Sequence, residues 1–188
     1  MTAIDVSAVL TNPARLAALR RLVPLYRPPS ITYDRLTRLA AELLEAPVAL
    51  LTLLDADRQI LVSSHGLGDA ARSIRQTALD WSICQYTVAR GRPLIIGDTA
   101  DAPYLETNRT VAEFGVRAYA GCPLVTLQGH CVGALCVVDF APRDWTHDRL
   151  AMLADLAAIT MDQFRLDGMD RRRAREWSTH SDLSRWLR

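Results

Sequence analysis

The stretch Val116–Phe140, VRAYAGCPLVTLQGHCVGALCVVDF, is the feature that most constrains what this chain can become. Two apolar runs flank a Gln-Gly pair, a pattern that predicts an antiparallel β-hairpin. A two-residue turn at Gln128–Gly129 sets Leu127 opposite His130, Leu124 opposite Gly133 and Cys122 opposite Leu135. Three of the four cysteines lie here, so the register decides what they can do. In this register Cys131 and Cys136, an odd number of residues apart, point to opposite faces. Cys122 and Cys131 share a face but stand roughly 13 Å apart at about 3.3 Å per residue. A disulfide needs Cα atoms within about 7 Å, and a zinc site needs sulfurs about 2.3 Å from one ion. The hairpin offers neither, and Cys131 and Cys136 read as small packed hydrophobes. Pro123 interrupts the ladder, and a bulge at Gly121–Pro123 would move Cys122.

The remaining elements follow from periodicity. Leu16, Leu19, Leu22 and Val23 form a stripe on a short helix that Pro28 and Pro29 stop. Leu36, Leu39, Ala40, Leu43 and Leu44 mark a second helix beginning at Ile31. Residues 47–67 read as a hairpin around the turn cluster Asp55–Arg58. LDWSICQYTVARG is a short helix closed by Gly91 as its C′ residue. RPLIIGD is a strand, and residues 99–115 are a loop with helical turns. A long helix starts after Thr146 as N-cap, with Asp148 in its first turn. Leu150, Leu153, Ala157, Met161 and Phe164 line one side of it, while Met152, Leu156 and Ile159 widen that face. Hairpins in sequence order make the sheet antiparallel, and the fold class is α+β. Residues 1–27 read as a helical extension, 28–167 as one domain and 168–188 as a polar, basic tail.

Composition removes several chemistries. All 22 positive side chains are arginine, so Schiff-base, P-loop and lysine general-base mechanisms are impossible. The net charge of +1 gives no global pull toward nucleic acid or an anionic membrane. No apolar run reaches the ~20 residues of a membrane span. With no basic n-region leading into an apolar h-region, a cytoplasmic location is expected. His65, His130, His147 and His180 have no second ligand at metal spacing, and no nucleophile–base motif is present. The run Arg171–Arg175 is either a solvated helix face or a nucleic-acid contact, and its acidic neighbours Asp167, Asp170 and Glu176 argue for the former.

Two features retain functional interest. Cys84 has no Cys-x-x-Cys partner, and nearby Asp80 would raise rather than lower its pKa; it reads as packing or as pocket lining. Asp98, Tyr104, Asn108, Arg109, Phe114, Arg117 and Tyr119 crowd one irregular segment. They describe a small-ligand pocket or a loop that caps one sheet face.

The succession YDRLTRLAAELLEAPVALLTLLDADRQILVSSHGL, SICQYTVARGRPLIIGDTADAPYLETN and VRAYAGCPLVTLQGHCVGALCVVDFAPRDWTHDRLAMLADLAA resembles a GAF domain over roughly residues 30–165. The resemblance implies a six-stranded antiparallel sheet with the terminal helices on one face and a pocket-forming layer of short helices and loop on the other. It also implies a non-catalytic sensor or regulatory module. The pocket would be walled by Trp81, Cys84, Tyr104, Phe114 and Tyr119, with Asp98 and Arg117 as polar anchors. Asn108, Arg109 and Phe114 match part of the cyclic-nucleotide signature, but Ala118 and Tyr119 stand where its acidic pair belongs, so a cyclic nucleotide is not expected. Bilin-attaching members follow their cysteine with histidine; Gln85 follows Cys84, so covalent bilin is not expected either. Two alternatives remain. One is a thiol-dependent reductase of the free methionine sulfoxide type using Cys84; the other is a ligand-free dimerisation module. Expected partners are a small molecule of unknown identity, a second copy through the terminal helices and a separate signalling output protein. Neither nucleic acid nor membrane is expected.

Overall fold

The computed structural model describes residues 5–22, 30–68 and 73–183, with side chains through Met169. Val23, the prolines at 28 and 29 and the side chains of His180 and of the 171–175 run lie outside what the structure describes. The strands are β1 Val48–Leu54, β2 Arg58–His65, β3 Gln76–Ala78, β4 Leu94–Ile96, β5 Ala118–Val125 and β6 Cys131–Asp139. They form one six-stranded sheet in the order β3-β2-β1-β6-β5-β4, antiparallel throughout. The helices are α1 Val6–Leu10, α2 Pro13–Leu22, α3 Ile31–Leu44, α4 Cys84–Arg90, α5 Arg109–Phe114 and α6 His147–Leu183. Three 3-10 turns, Leu79–Trp81, Thr99–Asp101 and Pro103–Leu105, complete the connections.

Each sheet face carries its own core because the central strands are apolar on both sides. On one face Ala49, Leu51, Leu53, Ala120, Leu135 and Val137 pack under α2, α3 and α6, which contribute Leu19, Leu44, Leu153 and Phe164. On the other, Leu50, Leu54, Tyr119, Ala134, Cys136 and Val138 pack under α1, α4 and the 3-10 turns. The terminal helices therefore share one face and the short helices the other, as the resemblance implied.

The N-terminal helices clasp one end of this sandwich. Leu10 of α1 enters one core and Leu19 of α2 the other; fully burying a leucine contributes roughly 2 kcal/mol. Arg15 fixes the elbow between them. Buried itself, it donates to the carbonyl oxygens of Val9 and Leu10 and, at 2.7 Å, to that of Leu54 at the end of β1. Val9 O also accepts from Asn12 N–H at 3.2 Å, and the guanidinium adds a donor at this helix end.

The central hairpin departs from the expected turn. Thr126 N–H donates to His130 O and Gly129 N–H to Thr126 O, both at 2.9 Å. The loop is thus three residues, closed by Gly129 at φ 81°, a left-handed position that glycine occupies without strain. Val125 pairs with Cys131 and Leu124 with Gly133, leaving Val132 as a bulge. The bulge restores the expected pairs Leu124–Gly133 and Cys122–Leu135. It also overturns the expected faces of the cysteines. Cys131 and Cys136 lie on the same face, toward α4, and Cys122 lies on the other. An extra residue in one strand flips the alternation beyond it.

Two elements were not anticipated, α1 and the edge strand β3. The expected tail is helical as well: α6 runs unbroken for 37 residues, through Gly168 to Leu183. A glycine costs about 1 kcal/mol in a helix interior, too little to end one this long.

Candidate functional site

An open cleft of about 550 Å³ lies at the β4 edge of the sheet. Its wall is β4 with Gly97 and Asp98; its rim carries Asp101 and Tyr104 from the 3-10 turns and Arg90 from the end of α4. Its floor is the β6–α6 connection, with Pro142, Arg143 and Asp144. Local chemistry fixes each part. Gly91, left-handed at φ 60°, ends α4 and leaves Arg90 at its last turn. Asp98 caps the first 3-10 turn, accepting from Ala100 N–H at 3.0 Å. Arg117 holds the same carboxylate in a two-pronged pair, Nε at 3.0 Å and Nη2 at 2.6 Å. That partner keeps the Asp98 carboxyl below its ordinary range and raises the guanidinium in return. The Tyr104 ring stands edge-on to Tyr86 at 5.2 Å, with the Arg90 guanidinium 5.7 Å from its centroid.

The cleft floor is tied to both the sheet and α6. Arg143 N–H donates to Gly97 O at 2.8 Å, and Trp145 Nε1 donates to Ile96 O at 3.0 Å. The Arg143 guanidinium reaches the carbonyls of Leu44 and Glu45 at 2.8 and 3.1 Å, closing the C-terminus of α3, and pairs with Asp139 at 3.0 Å. Two residues beyond Trp145, α6 begins.

The seven expected site residues divide among three places. Asp98 and Tyr104 line this cleft, and Arg117 stands behind Asp98. Trp81 and Phe114 form a separate outer stack with centroids 5.1 Å apart, and Arg109 lies 4.2 Å over the indole. Phe114 is 62% exposed, facing outward rather than into a pocket. Cys84 and Tyr119 lie inside the core beneath α4, where side chains fill the space between helix and sheet. The Tyr119 ring covers Gly121, where any Cβ would collide with it. Its hydroxyl meets Thr87 Oγ1 at 2.7 Å. Arg90, Asp101, Arg143 and Asp144 join the cleft without having been anticipated; the C′ glycine after Arg90 was the one local signal.

Cys84 is neither solitary nor suppressed by Asp80. Its Sγ lies 3.4 Å from Cys136 Sγ. Hydrogen bonding from Cys136 is the largest influence on Cys84 and, against burial, lowers its pKa. Donation to Cys84 and burial raise that of Cys136. Asp80 is half-exposed and faces Arg109 at 3.9 Å. Burial pushes Cys122 and Cys131 up to about 11. Among the described residues, no group of three or more His, Cys, Asp or Glu is placed to hold a metal ion.

The GAF domain profile matches residues 28–161, well over half of the chain. The chain belongs to the GAF domain family. Within it, the GAF domain here is 34% identical over 131 residues to a cyclic di-GMP phosphodiesterase of Pseudomonas aeruginosa. The match covers 69% of this chain but 22% of that enzyme, so the chain spans about a fifth of its relative. Solved GAF domains share the fold. That of an Acinetobacter phosphoenolpyruvate-protein phosphotransferase superposes with TM-score 0.61 at 19% identity, covering 82% of this chain and 95% of that one. The blue-light absorbing form of the PixJ GAF domain of Thermosynechococcus elongatus gives 0.60 at 17%, covering 87% and 95%. Free methionine-R-sulfoxide reductase of Neisseria meningitidis gives 0.56 at 18%, covering 88% and 93%.

Proposed function

We propose that this GAF domain is a non-catalytic sensory module that binds a small polar molecule in the β4 cleft and reports its presence through α6. One observation carries the reading: the cleft floor and the root of α6 are the same short connection, residues 140–146. A ligand seated against Arg143 and Asp144 bears on the hydrogen bonds that Arg143 makes to Gly97 and Trp145 to Ile96. Both signs of charge line the cleft, with Arg90 and Arg143 opposing Asp98, Asp101 and Asp144. Such a lining suits a ligand with donors and acceptors of its own rather than an apolar one. The relative supports an output in cyclic-dinucleotide turnover, carried by a longer polypeptide or by a partner.

The same reading includes self-association. Met152, Ile159 and Leu166 recur every seventh residue on the outer side of α6 and are exposed, as are Leu39 and Leu43 of α3. That seam supports pairing of two copies through their terminal helices. Sulfoxide reduction at Cys84 is not favoured, because Cys84 is 2% exposed beneath α4 and, among the described residues, lines no open cleft a sulfoxide substrate could enter.

Mass spectrometry of small molecules released from natively purified protein, followed by calorimetric titration of the full chain with them, tests the sensory reading. A released metabolite that rebinds stoichiometrically supports it. Protein that carries nothing and binds nothing from a polar metabolite panel removes it. Turnover of a sulfoxide coupled to thiol oxidation would restore the reductase.

A further inference from the structure

The pair Cys84–Cys136 is unused by the ligand cleft and rests on observations independent of it. The two sulfurs approach to 3.4 Å, and both thiols are free. A disulfide bond is about 2.05 Å long, so closure needs roughly 1.4 Å of travel. Cys84 opens α4, and Cys136 sits at the middle of β6, beside Leu50 of β1 and Gly121 of β5. The helix therefore holds one sulfur directly over the other. The other two cysteines differ in kind: Cys122 is on the opposite sheet face, and Cys131 has Gly133 O as its neighbour at 3.6 Å. We propose that Cys84 and Cys136 are a peroxide-oxidisable dithiol, closing to an intramolecular disulfide that ties α4 to the centre of the sheet.

The chemistry balances with a hydroperoxide as oxidant. The Cys84 thiolate attacks the peroxide oxygen, the O–O bond breaks, and Cys84 becomes a sulfenic acid as water, or an alcohol from an organic peroxide, departs. Cys136 then attacks the sulfenic sulfur, the S–O bond breaks, and a second molecule of water leaves. Two thiols lose two electrons and two protons, and one peroxide is reduced. Thiol–disulfide exchange with a dithiol reductant reverses the step.

The surroundings assign the order of events. Cys136 donates to the Cys84 sulfur at 3.4 Å, so the Cys84 proton leaves first. Cys136 keeps its proton until the sulfenic acid has formed. Access is through local opening of a helix only seven residues long, which admits hydrogen peroxide more readily than a bulky reagent. Closure draws the start of α4 toward β6 and disturbs the Tyr119–Thr87 hydrogen bond one helical turn away. The far end of the same helix carries Arg90 at the cleft rim.

The full chain, freshly reduced, is exposed to a modest excess of hydrogen peroxide at neutral pH and digested without reduction. The expected result is loss of two hydrogens by intact mass and one cross-linked peptide pair joining Cys84 to Cys136, both reversed by dithiothreitol. Cys122→Ala and Cys131→Ala leave the cross-link in place. Cys84→Ala and Cys136→Ala abolish it, and the peptide map of the unaltered protein decides the matter should either variant fail to fold. Four free thiols after treatment, a pairing other than Cys84–Cys136, or oxidation that stops at separate sulfinic acids would each overturn the proposal.

Discussion

Tyr119 illustrates how one side chain can decide between a pocket and a core. Its ring lies over Gly121, and its hydroxyl reaches Thr87 from a fully buried position. Tyr119→Phe leaves the buried Thr87 hydroxyl without that partner, and such a loss destabilises by about 1–3 kcal/mol. Adding Thr87→Val removes the orphaned group, so the double variant should recover most of the loss; urea denaturation of the set measures both. The buried thiols give a second expectation at this scale. Cys122 and Cys131 titrate near 11 in the fold, against about 8.5 in an unfolded chain. Their neutral forms are what the fold favours, so nothing is lost below pH ~8.5; between there and about 11 the unfolded state releases protons first and stability falls. Denaturation midpoints compared at about pH 8 and about pH 10.5 should drop, and drop less in Cys122→Ala/Cys131→Ala. An equal drop in that variant would assign the loss to other groups.

At the scale of elements, the sequence disclosed the periodic parts and hid the aperiodic ones. Leu36, Ala40 and Leu44 mark α3, and Leu153, Ala157, Met161 and Phe164 mark the inner face of α6; all are buried as their spacing requires. The bulge at Val132 was invisible because β6 is apolar on both faces, so a slip in alternation leaves no trace in composition. The same slip put Cys131 on the wrong side of the expected sheet. Cys136 could not be matched to Cys84 because 52 residues separate them, and only the docking of α4 on β6 brings them together. The cleft was half legible. Asp98 and Tyr104 fall in the segment that read as irregular and polar, whereas Arg143 and Asp144 reach the cleft from beyond β6. Arg15 belongs to this scale too. It joins α1, α2 and β1 through three carbonyls, and Arg15→Met removes that buried donor from all of them, Val9 O keeping its Asn12 N–H. A loss of about 2–4 kcal/mol is expected in thermal or chemical unfolding. A change within about 0.5 kcal/mol would mean that the N-terminal clasp is held by Leu10 and Leu19 alone.

At the scale of the whole molecule, α2 is committed to its own chain, with Leu19 in the core. The seam left for a second copy is the outer side of α6 and α3. Ile159 lies at its middle and is 52% exposed, so Ile159→Glu should leave the fold intact while shifting a dimer to monomer in sedimentation at micromolar concentration. A monomer before the substitution would remove the self-association reading. No helix among the described residues is long and apolar enough to cross a membrane. Sensing requires that the cleft at the root of α6 hold a ligand. The most direct measurement is thermal unfolding of the full chain against a panel of polar metabolites, with Asp101→Arg alongside as a cleft-blocking variant that alters an exposed side chain. A ligand at about a hundred times its Kd stabilises by about 2.7 kcal/mol, a rise of roughly 5–10 °C for a chain of this size. Such a rise is expected for at least one metabolite in the unaltered protein, together with its loss in Asp101→Arg. A rise of the same size in both proteins, or no rise with any metabolite, would contradict ligand sensing in the cleft.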